Sequence, residues 1–149
     1  MMKQLLDKVK LIANSWGESF EPPANKFELQ KFVDRVQENF GVRFSDQYET
    51  FLQIVNGLEF NGLIIYGTKN SENDLDASSL DLFEMNEVHM DSLRTSKLDV
   101  IVIGEDSTGL LTYDMNTKQF QYRDRIGLDK VEPFSSFEEM LKVEIEKVM

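Results

Sequence analysis

The chain has 149 residues, a length that suits one domain with its own hydrophobic core. It has no cysteine, which excludes disulfide bonds, thiol catalysis and cysteine-ligated zinc. Its 27 acidic and 16 basic residues give a formal charge of −11, which opposes contact with nucleic-acid phosphates and anionic lipids and favours cationic partners. The other explanation of this charge is solubility alone.

The first helix is predicted from apolar residues that recur with a 3.6-residue period over 5–16, and it ends at Gly17. Asp7, Lys8 and Lys10 interrupt these apolar residues, whereas a signal peptide needs an unbroken apolar core. The longest apolar runs elsewhere are the size of a strand and too short to span a bilayer. We therefore expect a cytoplasmic protein that does not insert into membranes.

A connector that contains two prolines separates the first helix from the second. We take 1–24 as an N-terminal helix with its connector and 25–149 as the main domain. The second helix is predicted to begin at Asn25, with Glu28 three residues later completing a capping box. Gly41 is predicted to end it.

A third helix and a strand meet at a corner with two Asn-Gly pairs, in the stretch QIVNGLEFNGLIIYG. The helix is predicted to begin at Ser45 or Asp46 and to end at Asn56-Gly57, because both of these residues tolerate a left-handed backbone. The run LIIY at 63–66 predicts a strand. A phosphate-binding loop or a nucleophile elbow needs the opposite order, in which a strand leads into a helix. The corner is therefore predicted to be only structural.

An acidic segment covers residues 70–93, with no lysine or arginine between Lys69 and Arg94. Its first half, NSENDLDASS, predicts a loop, and 80–88 predicts a short helix or an irregular segment. Seven carboxylates without countercharges repel one another, and such a charge distribution can speed association with a cationic partner. We predict that these carboxylates bind the partner: Glu72, Asp74, Asp76, Asp81, Glu84, Glu87 and Asp91.

The last third of the chain predicts a sheet followed by a helix. A buried strand is predicted at 99–104, and two further strands flank the hairpin loop 114–118. The second hairpin strand alternates between aromatic and polar side chains, which predicts a sheet covered on one side: Phe120 and Tyr122 against Gln119, Gln121 and Arg123. A short strand from Val131 and a helix capped by Ser135 and Glu138 complete the pattern.

Two motifs are candidates for chemistry. His89, the only histidine, lies between Glu87 and Asp91, but one histidine is a weak metal signal and a surface or cap role is favoured. Glu105-Asp106 follow a buried strand, where many α/β enzymes carry catalytic acids, although a turn between antiparallel strands is favoured. The sequence contains no cofactor motif and no nucleophile paired with a base. We therefore predict a protein that is not an enzyme and needs no cofactor.

Four segments carry a family resemblance: FGVRFSDQYETFLQIVNG, LIIYG, VIVIGEDSTGLLTYDMNTKQF and PFSSFEEML. Their motif residues are Tyr48, Phe51, Leu52, Asn56, Gly57, Gly104, Asp106, Gly109, Asp114, Ser136, Phe137 and Glu138. Together they resemble the SUKH superfamily, which includes Smi/Knr-type regulators of fungal cell-wall assembly and many bacterial toxin-immunity proteins, and most closely its YrhA-like branch. One departure is Phe44-Ser45, where the family usually has Leu-Pro before the third helix.

The resemblance implies an α+β fold in which helices pack against a twisted, mostly antiparallel sheet. It also implies a non-enzymatic binding role, commonly the neutralisation of a toxin domain, often a nuclease, by direct contact. The negative charge of the chain suits the basic groove of a nuclease. Two alternatives stay open: a regulatory scaffold or adaptor without a toxin, and an enzyme that uses Glu105, Asp106 or His89.

Overall fold

The computed structural model describes residues 2–68, 81–95, 99–128 and 130–149, without the side chains of 91–95. The predicted loop at 70–79 lies outside these ranges. The helices are α1 (Met2–Ser15), α2 (Lys26–Phe40), α3 (Asp46–Ile54), α4 (Leu82–Thr95) and α5 (Phe137–Val148). The strands are β1 (Leu58–Phe60), β2 (Leu63–Ile65), β3 (Val100–Glu105), β4 (Gly109–Asp114), β5 (Gln119–Asp124) and β6 (Val131–Pro133).

The strands form one antiparallel sheet in the order β1-β2-β3-β4-β5-β6, so each strand pairs with the next one in the chain. β4 and β5 pair without interruption, whereas β3 and β4 shift register between Val102 and Gly104. The predicted α+β fold with helices packed against an antiparallel sheet is confirmed.

Aromatic side chains join the helices to one face of the sheet. Tyr48 of α3 stacks on Phe137 of α5 with ring centroids 4.8 Å apart, and Phe137 meets Phe120 of β5 at 5.4 Å. Phe44, which precedes α3, contacts Tyr113 of β4 edge-on at 5.2 Å. Each such pair adds about 0.5–1.5 kcal/mol beyond the burial of its area. The core therefore lies between α3, α5 and this face.

The N-terminal helix packs into the same core. Leu6, Val9 and Ala13 of α1 are buried and belong to the same cluster as the core of the main domain. Trp16, predicted on the buried stripe of this helix, is 53% exposed, although its ring stacks on that of Phe60 at 5.5 Å. Helix α1 therefore shares one core with the described elements of the predicted domain at 25–149.

Both caps predicted for α2 and the N-cap predicted for α3 are confirmed, whereas α3 ends before its predicted cap at Asn56-Gly57. Asn25 Oδ1 accepts from Glu28 N at 2.8 Å, and Glu28 Oε1 accepts from Asn25 N at 3.1 Å, which completes the capping box. Gly41 follows α2 with a left-handed backbone (φ 71°). Of the two residues proposed to cap α3, Ser45 is the N-cap.

The predicted capping box of α5 is wrong by one residue. Ser136, rather than Ser135, accepts from the backbone N–H of Glu139 at 3.1 Å. The Glu139 carboxylate in turn accepts from the backbone and hydroxyl of Ser135, a role that was predicted for Glu138. Because two serines are adjacent, the sequence did not determine which of them is the N-cap. The later start makes Phe137 the first helical residue, and its side chain is fully buried.

The Asn-Gly corner contains a hairpin that was not predicted. α3 stops before Val55, which is extended, and of the Asn56-Gly57 pair only Gly57 has a positive φ (92°). Asn61 and Gly62 have φ values of 49° and 89°, and this two-residue turn joins β1 to β2. The corner reverses the chain and builds one edge of the sheet.

The prediction of a sheet covered on one side is wrong for β4 and β5, where residues on both faces are buried. Thr112, Gln121 and Arg123, on the face opposite Phe120, are buried. The Arg123 guanidinium donates to the Leu128 carbonyl oxygen at 2.8 Å and to Gln121 Oε1 at 3.0 Å. Because buried polar groups can satisfy one another, polar alternation along β5 did not indicate exposure.

α4 extends to Thr95, well beyond the short helix predicted at 80–88. It follows directly on Asp81, which forms an isolated bridge with Gly67, and the backbone N–H of Leu82 donates to the Gly67 carbonyl oxygen at 3.2 Å. Among the helices in the described ranges, none combines the length and apolarity needed to cross a bilayer.

Candidate functional site

Two polar clusters meet where β3 turns into β4. In this turn the backbone N–H of Asp106 donates to the Gly109 carbonyl oxygen at 3.0 Å. Asp106 Oδ1 accepts from the backbone N–H groups of Thr108 at 2.9 Å and Gly109 at 2.8 Å. A Cβ atom at Gly109 would lie 2.3 Å from Cζ of Tyr122, so a larger residue would collide with that ring. The turn predicted at Glu105-Asp106 is therefore confirmed.

The first cluster, which we call the Glu105 cluster, consists of Tyr66, His89, Glu105 and Arg125. The Tyr66 hydroxyl donates to Glu105 Oε2 at 2.9 Å. His89 Nε2 lies 3.5 Å from the same carboxylate oxygen and 3.4 Å from the Tyr66 hydroxyl. Arg125 Nη2 lies 3.6 Å from Glu105 Oε1 and donates to the Asp106 carbonyl oxygen at 2.6 Å. The cluster thus joins the end of β2, α4, the end of β3 and the loop after β5.

The charge of the Glu105 cluster resides on Glu105 and Arg125. Burial lowers the pKa of His89; Glu105 works against that shift and Arg125 adds to it, so the imidazole is neutral near neutral pH. Burial raises the pKa of Tyr66, and the Glu105 carboxylate raises it further, so the hydroxyl keeps its proton. His89 and Tyr66 therefore orient the Glu105 carboxylate without neutralising it.

The second cluster, which we call the Asp106 cluster, brings α5 against the same turn. The Tyr122 hydroxyl donates to Asp106 Oδ1 at 3.1 Å. Glu144 of α5, a fully buried side chain, lies close enough to Asp106 for each carboxyl group to shift the pKa of the other. Lys147 Nζ donates to Glu144 Oε1 at 2.9 Å and lies 4.2 Å from the centre of the Tyr122 ring. The sheet and the C-terminal helix are therefore joined through two carboxyl groups.

Asp106 and Glu144 share one proton near neutral pH. Burial raises the pKa of Glu144 to about 7; Lys147 opposes this shift, and Asp106 adds to it. Burial also acts to raise the pKa of Asp106, but hydrogen bonds from Thr108, Glu144, Gly109 and Tyr122 outweigh burial and lower it. Glu144 Oε2 is buried and has no hydrogen-bond donor among the described residues, which favours the protonated form of this carboxyl group.

This arrangement supports structure better than catalysis. Glu144 is fully buried and Asp106 is only 7% exposed, so the shared proton is shielded from a substrate. Across the residues that the structure describes, no group of three acidic or histidine side chains could hold a metal ion. The Asp106 cluster is thus enclosed, whereas the Glu105 side chain is 20% exposed.

The acidic residues predicted to bind a partner do not all lie on an exposed surface. Asp81 is buried, and its Oδ1 accepts from the backbone N–H groups of Phe83 at 2.8 Å and Glu84 at 3.4 Å, so it caps α4. Glu84 and Glu87 are exposed on α4, where Val88 is 67% exposed beside them. The remaining side chains lie outside the described set: Glu72, Asp74, Asp76 and Asp91.

The family-motif residues occupy structural positions. Four of them are fully buried in the aromatic core: Tyr48, Phe51, Leu52 and Phe137. Asn56 Oδ1 accepts from the Thr68 N–H, and Asn56 Nδ2 donates to Thr68 Oγ1, both at 2.8 Å. These two hydrogen bonds join the Asn-Gly corner to the segment that follows β2. A Cβ atom at Gly104 would lie 2.3 Å from the Ile64 carbonyl oxygen. Asp114 Oδ1 accepts two backbone N–H groups of the β4–β5 loop.

Several residues of both clusters were not predicted. Glu144 reads in the sequence as one of several acids on an amphipathic helix, and Tyr66 as the end of an apolar strand. Arg125 follows the predicted strands and carries no motif that marks it for a cluster. His89 and Glu105 were considered separately, and nothing in their spacing indicated that they meet. A usable signal was that Glu144 falls within the apolar stripe of α5, between Leu141 and Ile145.

The chain matches one family model, described as SMI1-KNR4 cell-wall (SUKH_6), over residues 30–126. This range covers more than half of the chain and includes α3, β1 to β5 and the turn with Glu105 and Asp106. No curated protein matches the chain significantly. The match is to the family as a whole, and the YrhA-like branch stays a prediction. The chain belongs to the SMI1-KNR4 cell-wall family of the SUKH superfamily.

Proposed function

We propose that this protein is a cytoplasmic, non-enzymatic binding protein that neutralises a nuclease-type toxin domain by direct contact, as an immunity protein. The observation that carries the proposal is the family match, since membership of the SUKH superfamily supports an immunity or regulatory role. The partner in this proposal is a protein with a basic surface, and neither nucleic acid nor a membrane is bound directly.

The charge of the chain supports a cationic partner. A formal charge of −11 on a chain of this size attracts basic proteins over long range and raises their association rate. Of the acidic residues predicted to bind a partner, Glu84 and Glu87 are exposed in the described part of the structure. They lie on α4 near an exposed apolar side chain, Val88. Apolar contact area surrounded by charge is the usual composition of a protein interface.

The test uses the protein encoded by the gene next to that of this protein. Its toxin domain, inactivated by mutation, is co-expressed and purified with the wild-type chain, and the affinity is measured at low and high salt. We expect the double variant Glu84→Lys/Glu87→Lys to bind more weakly at low salt, and to lose part of the salt dependence, because attraction between charges is screened by salt.

The matched control is Glu38→Lys/Glu146→Lys, which makes the same change in net charge at exposed positions on α2 and α5. A larger effect at α4 than in the control supports contact through the acidic face. Equal effects in the two variants would assign the attraction to net charge alone. Failure of the wild-type chain to bind or to inhibit the neighbouring toxin would contradict the immunity role.

The alternative is a regulatory scaffold or adaptor without a toxin. It is favoured by the description of the matched family, which refers to the cell wall. The two functions differ in a growth assay, because an immunity protein rescues cells that produce the active toxin and an adaptor does not. An adaptor would also retain its partner in cells that lack any neighbouring toxin gene.

A further inference from the structure

The two Asn-Gly pairs of the corner lie in different surroundings. Asn56 and Gly57 are both buried, whereas Asn61 and Gly62 are both exposed. In each pair the glycine has no Cβ atom, so its backbone nitrogen is open to approach by the asparagine side chain before it. The pairs therefore have the same local chemistry, and the tertiary structure decides whether it can proceed.

The first pair is held on both sides. The Asn56 amide accepts from the Thr68 N–H and donates to Thr68 Oγ1, both at 2.8 Å. The Gly57 N–H donates to the Val55 carbonyl oxygen at 3.0 Å. Asn56 is only 5% exposed, so water reaches its amide poorly. The Asn56 side chain can therefore turn towards the Gly57 nitrogen only after these hydrogen bonds break.

The second pair is held by one side-chain contact. Asn61 Nδ2 donates to the carbonyl oxygen of Val148, the last residue of α5. Within the described part of the chain, the Gly62 N–H donates to no backbone carbonyl, and a Cβ atom at Gly62 would meet no heavy atom within 4 Å. The turn joins two strands of three residues each, and such short exposed hairpins open locally at low cost. The Asn61 amide and the Gly62 nitrogen are therefore accessible to each other and to water.

We propose that Asn61-Gly62 is a site of spontaneous deamidation in the folded protein, with water as the co-reactant, and that Asn56-Gly57 is protected from it. The Gly62 nitrogen forms a bond to Asn61 Cγ, the Cγ–Nδ2 bond breaks, and the amide leaves as ammonia with the proton that the Gly62 nitrogen gives up. The product is a cyclic succinimide. Water then adds to one of the two ring carbonyls and breaks its bond to the ring nitrogen, which yields aspartate or isoaspartate. This inference is independent of the proposed binding function.

The modification reverses the contact between the β1–β2 hairpin and α5. The Val148 carbonyl is one of the last carbonyls of the helix, which lack partners within the helix and form the negative end of its dipole. The Asn61 amide supplies a donor at this end. A carboxylate at position 61 cannot donate, and it is repelled by the same carbonyl groups. Deamidation therefore loosens the attachment of the hairpin to the end of α5.

The experiment incubates the folded protein and the urea-unfolded protein at the same mildly alkaline pH, and peptide mapping by mass spectrometry follows both asparagines. In the folded protein, Asn61 is expected to convert on the order of 10- to 100-fold faster than Asn56, because the two hydrogen bonds of the Asn56 amide must break first. In the unfolded chain the two residues are expected to convert at similar rates, since each is followed by glycine. Similar rates in the folded protein, or a folded Asn61 that stays intact while the unfolded one converts, would overturn the proposal.

Two variants test the effect on α5. Asn61→Asp carries the product side chain, and Asn61→Gly is the matched control, because it also loses the donor and suits the positive φ of 49° but adds no charge. Asn61→Asp is expected to melt at a lower temperature than Asn61→Gly, and added salt is expected to reduce the difference, since salt screens the repulsion. Equal melting temperatures at low salt would overturn the proposed repulsion at the end of the helix.

Discussion

Asn86 of α4 pairs with the backbone of Val102 in β3 as a neighbouring strand would. Its Nδ2 donates to the Val102 carbonyl oxygen at 2.7 Å, and the Val102 N–H donates to its Oδ1 at 2.8 Å. β2 pairs with β3 at Gly104 and Glu105, and the N–H of Tyr66, just after β2, donates to the Ile103 carbonyl oxygen at 2.8 Å, so Val102 is the next residue beyond these contacts. One side-chain amide therefore completes the sheet and holds α4, with His89, against it.

Asn86→Leu is expected to destabilise the protein strongly. The substitution leaves the buried N–H and carbonyl groups of Val102 without partners, which costs on the order of 3 kcal/mol in the free energy of unfolding. Urea denaturation measures this cost. Asn39→Leu on α2 is the control, because Asn39 is exposed and, among the described residues, its amide donates to the Arg35 carbonyl oxygen of the same helix. Equal stability of the two variants would show that the amide of Asn86 is dispensable.

The Asp106–Glu144 pair is expected to make stability fall as pH rises through neutrality. Burial raises the pKa of Glu144 to about 7 in the folded state, above the 4.5 of an exposed glutamate, so folding favours its protonated form. The stability this contributes is complete below about pH 4.5 and is lost as pH rises to about 7, at most about 3 kcal/mol. Asp106 contributes to the pH dependence with the opposite sign. Its lowered pKa stabilises the folded state near neutral pH, and this contribution is lost as the pH falls through that pKa.

Glu144→Gln tests this dependence. The amide keeps a donor for Asp106 and an acceptor for Lys147 but does not titrate, so we expect a nearly flat stability between about pH 5 and 8. At the upper end of that range the variant is expected to be more stable than wild type. Glu146→Gln, at an exposed position on the same helix, should retain the wild-type profile. Parallel profiles for wild type and Glu144→Gln would contradict the shared proton.

The single histidine gives a direct readout of the Glu105 cluster by NMR titration. Burial has the largest effect and lowers the pKa of His89; Glu105 opposes this shift, and Arg125 adds to it. We therefore expect Glu105→Gln to move the His89 pKa down and Arg125→Gln to move it up. Glu38→Gln, on α2, should leave it unchanged. Shifts of the same sign in both cluster variants would be inconsistent with the observed contacts.

Removal of the Tyr48 hydroxyl is expected to lower the free energy of unfolding more than removal of the Tyr113 hydroxyl. Tyr48 is fully buried and donates to the Tyr66 carbonyl oxygen at 2.6 Å. Tyr48→Phe keeps the stacking with Phe137 but leaves that carbonyl without its donor, at a cost of about 1–3 kcal/mol in the free energy of unfolding. The matched control is Tyr113→Phe, because the Tyr113 hydroxyl bonds to none of the described residues. Equal melting temperatures for the two variants would contradict this role.

Features that depend on a few neighbouring residues were readable from the sequence. The box of Asn25 with Glu28 and the turn of Gly41 are local, because a cap involves groups within one helical turn. The strand at 99–104, its turn at Asp106 and the hairpin after it followed from alternation and turn chemistry. The strand, the turn and the hairpin also carried part of the family resemblance, which the match over 30–126 confirmed.

Only the tertiary structure decided which polar residues would be buried and which would meet. Asp81 and Glu144 look in the sequence like other surface acids, yet one caps α4 and the other is enclosed against Asp106. His89 meets Glu105 because Asn86 binds α4 to the edge of β3. Charge and local periodicity determine which elements form, but the burial of a carboxylate depends on what packs over it, and that is settled by contacts distant in the chain.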